Sequence, residues 1–423
     1  MRPAPYEQGK RAFHEESGMG SMKTRSFLSL IVSFSVLLFL SSLFSSNPLT
    51  VIYNGSFKLW HPSAGDQTVI NDDCDLFEGK WLRDHGGPAY TNRSCRILPE
   101  SQNCDKYGKD QDFVNWRWKP AECDLRRFDP VAFLEAVRGK TMAFASDSVG
   151  RNQKDSLVCL LSQASIGIIV EYPLNLKGDK EENQITNWYF QSYDFTLMLL
   201  WTRFLVQEQE RVVNGTGTGD FDLHLDRVDT NWTAKLPLVN YLIISSGHWF
   251  FRNLYLYENG KIIGCVYCGQ ANLTNYDFTY AIRRAFRTAL QSIDRCEECE
   301  GLVTLVRTFA PAHFEHGAWN TGGYCNRTRP LNETAVRLSG TDWEVRNAQV
   351  EEVERFRMEK TKWFGVLDVT KAMLLRADGH PGSHWNNDWN RGFNDCLHWC
   401  LPGPIDTWNE MLLALLRKGF SDV

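Results

Sequence analysis

Twelve cysteines constrain the fold of this chain of 423 residues more than any other feature of its sequence. All of them follow residue 70, and their even number leaves none that must remain unpaired. Disulfides persist in oxidising compartments and are rare in the cytosol, so the cysteines predict a lumenal or extracellular, disulfide-bonded protein. Two CxxC pairs, Cys265/Cys268 and Cys296/Cys299, also have the spacing of a zinc ribbon, and a zinc site is the alternative interpretation of these four.

An uncharged apolar run near the N-terminus agrees with that compartment. Residues 27–46 carry no charged side chain and are numerous enough for a helix to cross the hydrocarbon core of a membrane. Lys23 and Arg25 precede the run, which favours a cytoplasmic N-terminus and a lumenal remainder. We predict a cytoplasmic tail at 1–26, a transmembrane signal anchor at 27–46 and a stem at 47–70; a cleaved signal peptide is the alternative.

Seven Asn-x-Ser/Thr sequons give independent support for a secretory protein. One such pattern arises easily by chance, but seven together fit a lumenal chain better than a cytosolic one. The predicted glycosylation sites are Asn54, Asn92, Asn214, Asn231, Asn272, Asn326 and Asn332.

The charge balance excludes one large class of partners. The chain has 46 Lys and Arg against 51 Asp and Glu, which gives a formal net charge of −5. Nucleic-acid affinity needs a dense basic surface, so no nucleic-acid partner is expected. Hydrophobic residues make up 43% of the chain, which excludes a disordered acidic protein.

Short apolar runs alternate with helical patterns after residue 138. Runs that are apolar throughout are typical of strands buried on both faces of a parallel sheet. We predict strands at Thr141–Ser146, 236–246, 302–307 and 363–369. We predict helices at 152–163, 192–208, 277–294, 348–360 and 407–417, and a flexible loop at 214–219. The alternation indicates an α/β domain at 139–423 with helices on both faces of a parallel sheet, behind a disulfide-stapled lobe at 71–138.

Ser148 stands where the first predicted strand gives way to a helix. Ligands of a parallel α/β sheet bind beyond the carboxyl ends of its strands, and a serine in this turn presents its hydroxyl there. The N-terminus of the helix offers backbone N–H groups and a positive dipole to an oxyanion. Because Ser and Asp are also common helix caps, a capping role is the alternative for Ser148 and Asp147.

Asp395 and His398 supply the partners that a nucleophilic serine requires. On a helical turn, a spacing of three residues places both side chains on one face. The carboxylate can then fix the imidazole tautomer while the other ring nitrogen takes a proton from the serine. A surface pair without a catalytic role is the alternative for this spacing.

Five motifs follow one another along the chain: CDLFEGKW at 74–81, WRWKP at Trp116–Pro120, SDSVGRNQ at 146–153, TFAPAHFEHGAW at 308–319 and DCLHWCLPGPIDTWNE at 395–410. Together they resemble the trichome birefringence-like family of plant polysaccharide O-acetyltransferases, whose domain is related to the SGNH/GDSL hydrolases. The resemblance extends over about residues 74–420. It implies an SGNH-hydrolase-like three-layer α/β/α domain with a parallel sheet, together with the disulfide-rich lobe and the transmembrane helix.

The resemblance also implies a catalytic triad. Ser148 would be the nucleophile, His398 the general base and Asp395 the group that orients the histidine. Acetyl transfer would proceed through an acetyl-serine that is passed to a sugar hydroxyl. The expected oxyanion donors are the Ser148 backbone N–H and Gly247. The expected supporting residues are Asn253, as a side-chain donor, and Asp147, Arg151 and Asn152.

Cysteine pairing is a further implication of the resemblance. Bridges from Cys400 and Cys396 would fasten the segment that carries Asp395 and His398, and a triad must be held within fractions of an ångström. The implied pairs are Cys74–Cys123, Cys95–Cys159, Cys104–Cys400 and Cys325–Cys396. We expect Cys265, Cys268, Cys296 and Cys299 to bridge among themselves, and we assign no metal site.

One residue departs from the family pattern. Ser146 occupies the position where the motif usually has the glycine of Gly-Asp-Ser. Glycine tolerates the tightest backbone turns, so Ser146 indicates an altered turn. Because the nucleophile and both of its partners remain, an active enzyme is expected, with reduced activity or an inactive polysaccharide-binding protein as the alternatives.

Most of the fifteen tryptophans are expected in the core, because large aromatic rings are good core material. Indole faces also stack on sugars, so at least one or two are expected to line an acceptor groove. The residues expected to contact the polysaccharide acceptor are Trp116, Trp118, Trp249, Trp385, Trp389 and Trp399. His248, His313, His316, His380 and His384 are expected to be polar and accessible, with structural hydrogen bonds rather than a metal.

The expected activity is O-acetylation of a plant cell-wall polysaccharide in the Golgi membrane, by a single-pass type II protein with a lumenal catalytic domain. The run at 402–407 (PGPIDT) favours xyloglucan, and xylan and mannan are alternative acceptors. An acetylesterase with the same triad is a further alternative, because only water exclusion separates it from a transferase. No bound cofactor is expected. The acetyl donor would be acetyl-CoA or a derived carrier, and a membrane partner would supply it.

Overall fold

The computed structural model describes residues 74–164, 169–172, 187–359, 362–386 and 392–419. The predicted cytoplasmic tail, transmembrane anchor and stem lie outside these residues, as do Asn54 and Trp389. Among the residues that are described, no helix has both the length and the apolar character needed to cross a membrane.

The strands in chain order are β1 (Gly79–Arg83), β2 (Trp116–Pro120), β3 (Thr141–Ser146), β4 (Ile169–Tyr172), β5 (Asn187–Phe190), β6 (Phe195–Trp201), β7 (Val206–Val213), β8 (Thr216–Val228), β9 (Tyr241–Ser245), β10 (Leu254–Glu258), β11 (Lys261–Val266), β12 (Val303–Arg307) and β13 (Trp363–Leu367). The α-helices are α1 (Pro130–Ala136), α2 (Ser148–Leu161), α3 (Thr230–Thr233), α4 (Phe278–Asp294), α5 (Thr341–Glu359), α6 (Thr370–Leu374) and α7 (Asp406–Lys418).

A seven-stranded sheet organises the domain, in the order β13-β12-β9-β3-β6-β5-β4. The five strands from β13 to β6 are parallel, and β5 and β4 are added antiparallel at one edge. The prediction of an α/β domain with parallel strands is confirmed. Since β3 has β6 on one side and β9 on the other, the strand order reverses at β3. A crevice is therefore expected beyond its carboxyl end.

Side chains alternate across β3 and enter two different cores. Met142 and Phe144 pack with residues of α2 and α7, whereas Ala143 and Ala145 pack with residues of α4 and α5. Helices therefore cover both faces of the central sheet. A smaller sheet in the order β11-β10-β8-β7 contributes to the second core through β8 and β10.

The predicted helix at 192–208 is wrong. This segment contains a 3-10 turn at Gln191–Tyr193, strand β6 and the start of β7. Phe195–Trp201 is apolar at almost every position, and a run of that kind fits a strand covered on both faces as well as a buried helix. Pairing with β3 and β5 decides in favour of the strand.

The flexible loop predicted at 214–219 is also wrong. Asn214 and Gly215 form a tight turn with positive φ angles of 51° and 80°, and β8 begins at the next residue. The Gly- and Thr-rich sequence resembles a linker, but its backbone groups pair with β7. The four-stranded sheet to which both strands belong was not predicted, because its exposed strands lack a continuous apolar run.

The remaining predicted elements are present with shifted ends. The strand predicted at 236–246 begins as a 3-10 turn and becomes β9 only at Tyr241, and the helix predicted from residue 348 already begins at Thr341. The first predicted helix begins at Ser148 rather than at 152, which places the candidate nucleophile in its first turn.

Six disulfides join all twelve cysteines. The pairs Cys74–Cys123, Cys95–Cys159, Cys104–Cys400 and Cys325–Cys396 are those implied by the family resemblance. Cys265 bonds Cys268 and Cys296 bonds Cys299, so both CxxC pairs are disulfides, which overturns the zinc alternative. Cys104–Cys400 connects residues 296 positions apart, and bridges of such long span constrain the unfolded chain most.

The N-terminal lobe shares the core of the catalytic domain. Trp81 and Trp118 pack edge to face and belong to the same buried cluster as Trp399 and Trp408. The indole N–H of Trp81 donates to the carbonyl oxygen of Ala372 at 2.8 Å. The lobe is thus built onto the domain that carries Asp395 and His398.

The sequons within the described residues lie at the surface. Asn92 is half-buried, and its side-chain amide donates to the Asp105 carboxylate at 2.7 Å. The exposed sequon residues are Asn214, Asn231, Asn272, Asn326 and Asn332.

Candidate active site

The junction of β3 and α2 presents Ser148. Strand β3 ends at Ser146, and Asp147 has an extended conformation and caps α2 by accepting the N–H of Val149 at 3.0 Å. Asp147, rather than Ser148, is therefore the capping residue. Ser148 is half-buried at the N-terminus of a helix of 14 residues, where the helix dipole favours an oxyanion.

Asp395 and His398 form a hydrogen-bonded pair. The Oδ2 atom of Asp395 lies 2.9 Å from Nδ1 of His398, while its Oδ1 atom accepts the backbone N–H groups of Leu397 and His398 at 3.1 and 2.9 Å. These contacts make an Asx turn, so the prediction of a helical turn is wrong although the two side chains do meet. A carboxylate only accepts, so Nδ1 carries the proton and Nε2 has a lone pair.

The Nε2 atom of His398 is buried and has no hydrogen-bond partner within the described residues. An imidazole nitrogen with a lone pair and no partner is the atom that a general base uses. Two backbone hydrogen bonds of 2.8 Å between Asp395 and Gly382, and the neighbouring Cys325–Cys396 bridge, hold the segment that carries the pair.

Asn152 joins the histidine segment to the serine helix. It lies one turn beyond Ser148 in α2, and its side chain accepts the N–H of Trp399 at 2.7 Å and donates to the Trp399 carbonyl at 3.2 Å. Trp399 follows His398 directly. These two hydrogen bonds place His398 beside the first turn of α2.

The electrostatics of the pair favour ionised Asp395. Burial alone would raise the pKa of Asp395, but His398 and the two backbone N–H groups lower it to about 2. Burial likewise opposes protonation of His398, yet the Asp395 carboxylate raises the pKa of this histidine above its usual 6.5. Asp147 acts in the same direction as Asp395, and Arg151 acts against them.

This raised pKa predicts the acid side of the pH profile. A histidine that takes the proton of a serine must be neutral, so with His398 as the base we expect activity to be lost as the pH falls through the pKa of His398, which lies above 6.5. Below that pKa we expect the rate to fall about tenfold per pH unit. Initial rates of acetyl-serine formation between pH 4 and 9 check this. A rate that remains constant down to pH 5 would contradict the assignment of the base.

The predicted oxyanion donors differ in their surroundings. Gly247 lies two residues beyond the end of β9, and a Cβ at this position would lie 2.5 Å from the Phe309 ring, so only glycine fits here. The side-chain amide of Asn253 donates to the Asp220 carboxylate at 3.2 Å, beside the four-stranded sheet. The guanidinium of Arg151 lies 5.5 Å from the centre of the Trp201 ring and in electrostatic contact with His398.

The predicted sugar-binding tryptophans fall into two groups. Trp118 and Trp399 are completely buried and Trp385 is 8% exposed, so the prediction that these three stack on an acceptor is wrong. Large aromatic rings are good core material, and the sequence does not reveal which of them face outward. Trp116 and Trp249 are half-buried beside Arg83 and Arg252, respectively, and retain some accessible surface.

Trp319 was not predicted, although it is 61% exposed. It belongs to a loop that is closed by two backbone hydrogen bonds between Glu315 and Tyr324. Cys325 follows this closure and is bonded to Cys396, so the loop is fastened next to Asp395. Only the folded structure reveals that the indole of Trp319 is exposed and that its loop is fastened next to the segment of the candidate base.

Two of the histidines expected to be accessible are buried. His380 donates Nδ1–H to the His398 carbonyl at 2.7 Å, and its Nε2 lies 2.8 Å from Nδ1 of His313. His380 also packs on Trp399, with ring centres 4.0 Å apart. Burial lowers the pKa of both residues, to about 4 for His313, so these imidazoles support the backbone of His398 as largely neutral groups at neutral pH.

The other histidines lie in different environments. His248 follows Gly247 and stacks on Phe309 at 4.3 Å, and burial lowers its pKa to about 3, which keeps it neutral. His316 is exposed, and Nδ1 of His384 lies 3.0 Å from the carbonyl oxygen of Tyr107. No cluster of three metal-ligating side chains was found in the described ranges.

Ser146 fits its position without backbone strain. It is the last residue of β3, an extended conformation that any residue adopts, so glycine is not required there. Its hydroxyl occupies the space above Gly150, where a Cβ would overlap it. Gly150 supplies the room that the Ser146 side chain needs.

The site combines a serine at a strand-to-helix junction with an Asp-x-x-His pair. Comparison with known protein families agrees with this geometry. PC-Esterase, the GDSL/SGNH-like acyl-esterase family found in Pmr5 and Cas1p, matches residues 125–415. The chain belongs to this acyl-esterase family. The PMR5 N-terminal domain matches residues 72–124, which correspond to the disulfide-stapled lobe.

Relatives of this chain support the resemblance drawn from the motifs. The chain is 50% identical over 400 residues to xyloglucan O-acetyltransferase 4 of Populus trichocarpa, covering 92% of this chain and 91% of the relative. It is 45% identical to xyloglucan O-acetyltransferase 2 of Arabidopsis thaliana over 388 residues, or 88% and 92% of the two chains. Identity to trichome birefringence-like protein 20 of Arabidopsis thaliana is 45% over 354 residues, or 82% and 72%. The predicted relation to the trichome birefringence-like proteins is confirmed.

Proposed function

We propose that this chain is an O-acetyltransferase that moves an acetyl group through an acetyl-serine onto hydroxyl groups of xyloglucan. The observation that carries the proposal is the Asn152 clamp, which holds the Asp395–His398 pair beside the helix turn of Ser148. The names of the acyl-esterase relatives support the choice of xyloglucan.

In the first half-reaction, Nε2 of His398 takes the proton of Ser148 Oγ as that oxygen attacks the acetyl carbonyl of the donor. The tetrahedral intermediate collapses, His398 returns the proton to the leaving group, and acetyl-Ser148 remains. Asp395 stabilises the imidazolium between these steps. The backbone N–H groups of Ser148 and Gly247 are proposed to bind the oxyanion, since both lie at the carboxyl edge of the sheet.

In the second half-reaction, a sugar hydroxyl gives its proton to His398 and attacks the acetyl-serine. The bond between the acetyl carbon and Ser148 Oγ then breaks, His398 returns the proton to Oγ, and the acetylated polysaccharide and free Ser148 are released. The acceptor is proposed to stack on Trp319 and on the accessible parts of Trp116 and Trp249, because indole faces suit the C–H faces of sugars. Acetyl-CoA or a carrier derived from it is the proposed donor, delivered by a membrane partner. The proposed location is the Golgi membrane, with the catalytic domain in the lumen.

An acceptor panel tests this proposal. The lumenal part of the chain is incubated with an acetyl donor and deacetylated xyloglucan, xylan or glucomannan, and polymer-bound acetyl is measured by mass spectrometry. We expect acetylation of xyloglucan at a rate at least about tenfold above the other two, a difference that needs about 1.4 kcal/mol of discrimination. Preference for xylan or glucomannan would overturn the assigned acceptor.

Two further outcomes separate the transferase from its alternatives. Free acetate without polymer product would identify an esterase, and polysaccharide binding without either product would identify an inactive binding protein. Trp319→Ala should weaken transfer to the polymer while leaving hydrolysis of a small acetyl ester unchanged. Trp118→Ala is not suitable as a comparison because Trp118 belongs to the core.

A further inference from the structure

Three polar side chains form a row beneath the helix turn of Ser148. Ser146 of β3 lies opposite Ser245 of β9. Arg307 belongs to β12, the other neighbour of β9, and comes directly after the last β12 residue that pairs with β9. Because alternate residues share a face, all three side chains lie on the face whose core contains Phe144 and residues of α2 and α7. A Cβ on Gly150 would lie 3.2 Å from the Ser245 hydroxyl, so the row contacts the first turn of α2.

Arg307 is the charged member of this row. It is 2% exposed, and its guanidinium donates to Ser245 Oγ at 2.7 Å and to the Thr308 carbonyl at 2.9 Å. The guanidinium also lies 5.0 Å from the centre of the Trp408 ring. These partners are all neutral, and Nε has no hydrogen-bond partner in the described part of the chain. A buried cation of this kind requires a counter-charge.

Asp147 supplies that counter-charge. It is 1% exposed, one of its oxygens caps α2, and its Oδ2 atom has no hydrogen-bond partner among the described residues. Burial raises the pKa of Asp147, and the positive charge of Arg307 is the largest influence that lowers it. Burial conversely lowers the pKa of Arg307 to about 10, against the influence of Asp147. Each of the two charges thus favours the ionised form of the other, against the effect of burial.

The charge on Asp147 reaches the candidate base. The carboxylates Asp395 and Asp147 and the cation Arg151 act electrostatically on His398. The neutral imidazole of His248 also interacts with it. The two carboxylates favour the imidazolium form of His398. Arg307 acts on Asp147, and Asp147 in turn acts on His398.

We propose that Arg307 is a positioning residue for acetyl transfer: it keeps the buried Asp147 ionised, and Asp147 together with Asp395 stabilises the imidazolium that His398 forms when it takes the serine proton. This inference rests on the proposed function, because it assigns a task to His398 as the base of Ser148. Through Ser245 the same guanidinium also supports the helix turn that presents the nucleophile.

The test uses the pH dependence of serine labelling. A fluorophosphonate reacts with an activated serine without any polysaccharide acceptor, and its rate reports the protonation of the neighbouring base. We expect Arg307→Met to lower the labelling rate about tenfold. We also expect the acid limb of the profile, the pH range over which the rate falls as His398 is protonated, to move about one pH unit lower, because Asp147 becomes neutral and no longer favours the imidazolium. Asp147→Asn should give the same shift, and the double variant should add nothing further.

Two variants keep this test decisive. Arg307→Lys retains the positive charge, so its acid limb should stay near that of the unmodified protein even if the rate falls. Arg211→Met is the matched control, because Arg211 also pairs with a carboxylate, Asp222, and lies over an aromatic ring, Tyr255, but in the four-stranded sheet. It should leave both the rate and the acid limb unchanged. Thermal melting of each variant verifies that it is folded.

The outcomes separate this inference from the proposed function. If the unmodified protein is labelled but Arg307→Met does not move the acid limb, the coupling between Arg307 and Asp147 is overturned. Additive effects of the two substitutions would overturn it as well. An unlabelled Ser148 in the unmodified protein would overturn the serine mechanism and this inference together. Normal labelling with no acetylated xyloglucan would overturn only the assigned acceptor.

Discussion

Replacing Ser148 by alanine is expected to reduce acetyl transfer to xyloglucan by about 10³-fold or more and to abolish the acetyl-serine intermediate. Without the hydroxyl there is no nucleophile, and only binding and the oxyanion donors remain to accelerate direct transfer. The folded state should be retained, because Ser148 is half-buried and Asp147 makes the helix cap. Intact-protein mass spectrometry after mixing with donor measures the intermediate, and product acetyl measures the transfer.

The other members of the triad give the control for this experiment. His398→Ala and Asp395→Ala should each cause a large loss, and the triple variant should be little worse than Ser148→Ala, because residues that act as one unit do not contribute additively. Transfer that survives in Ser148→Ala within a factor of ten would show that another group carries the acetyl. Losses that multiply across the three residues would show that they do not act together.

Replacing Gly150 by alanine is expected to lower activity by about 10²-fold, the largest effect that the structure predicts outside the candidate triad. In an ordinary helix this substitution stabilises by up to about 1 kcal/mol. Here the new Cβ overlaps the side chain of Ser146, which is fixed in strand β3 and cannot move aside. The first turn of α2 must shift instead, and a displacement of about 1 Å at a nucleophile costs rates of this order.

A second substitution makes this prediction specific. Ser146→Gly removes the overlapping atoms, so the Ser146→Gly, Gly150→Ala double variant should recover most of the activity, with only the 3.2 Å approach to Ser245 remaining. Ser146→Gly alone should keep nearly full activity, because glycine is the usual family residue there. Kinetics and melting temperatures of the three variants provide the measurement. A double variant as impaired as Gly150→Ala would rule out the overlap with Ser146 as the cause.

Features that depend on local order were predictable from the sequence. The serine at the end of the first sheet strand and the Asp-x-x-His spacing are such features, since strand, cap and turn involve residues only a few positions apart. The prediction of helix at 192–208 had the same basis and was wrong, because a continuous apolar run has no period that separates strand from buried helix. The neighbouring strands supplied the missing information.

The sequence by itself determined which chemistry is present: twelve cysteines that can pair, a nucleophilic serine at a helix N-terminus, and an acid that orients a histidine. Only the tertiary structure decided which groups surround them. Asn152 meets Trp399 across 247 positions, and Arg307 meets Ser245 across 62. Such contacts follow from strand order and register, which bring distant residues to one sheet edge. Burial then decides which side chains remain charged or exposed, because it depends on atoms contributed by the whole fold.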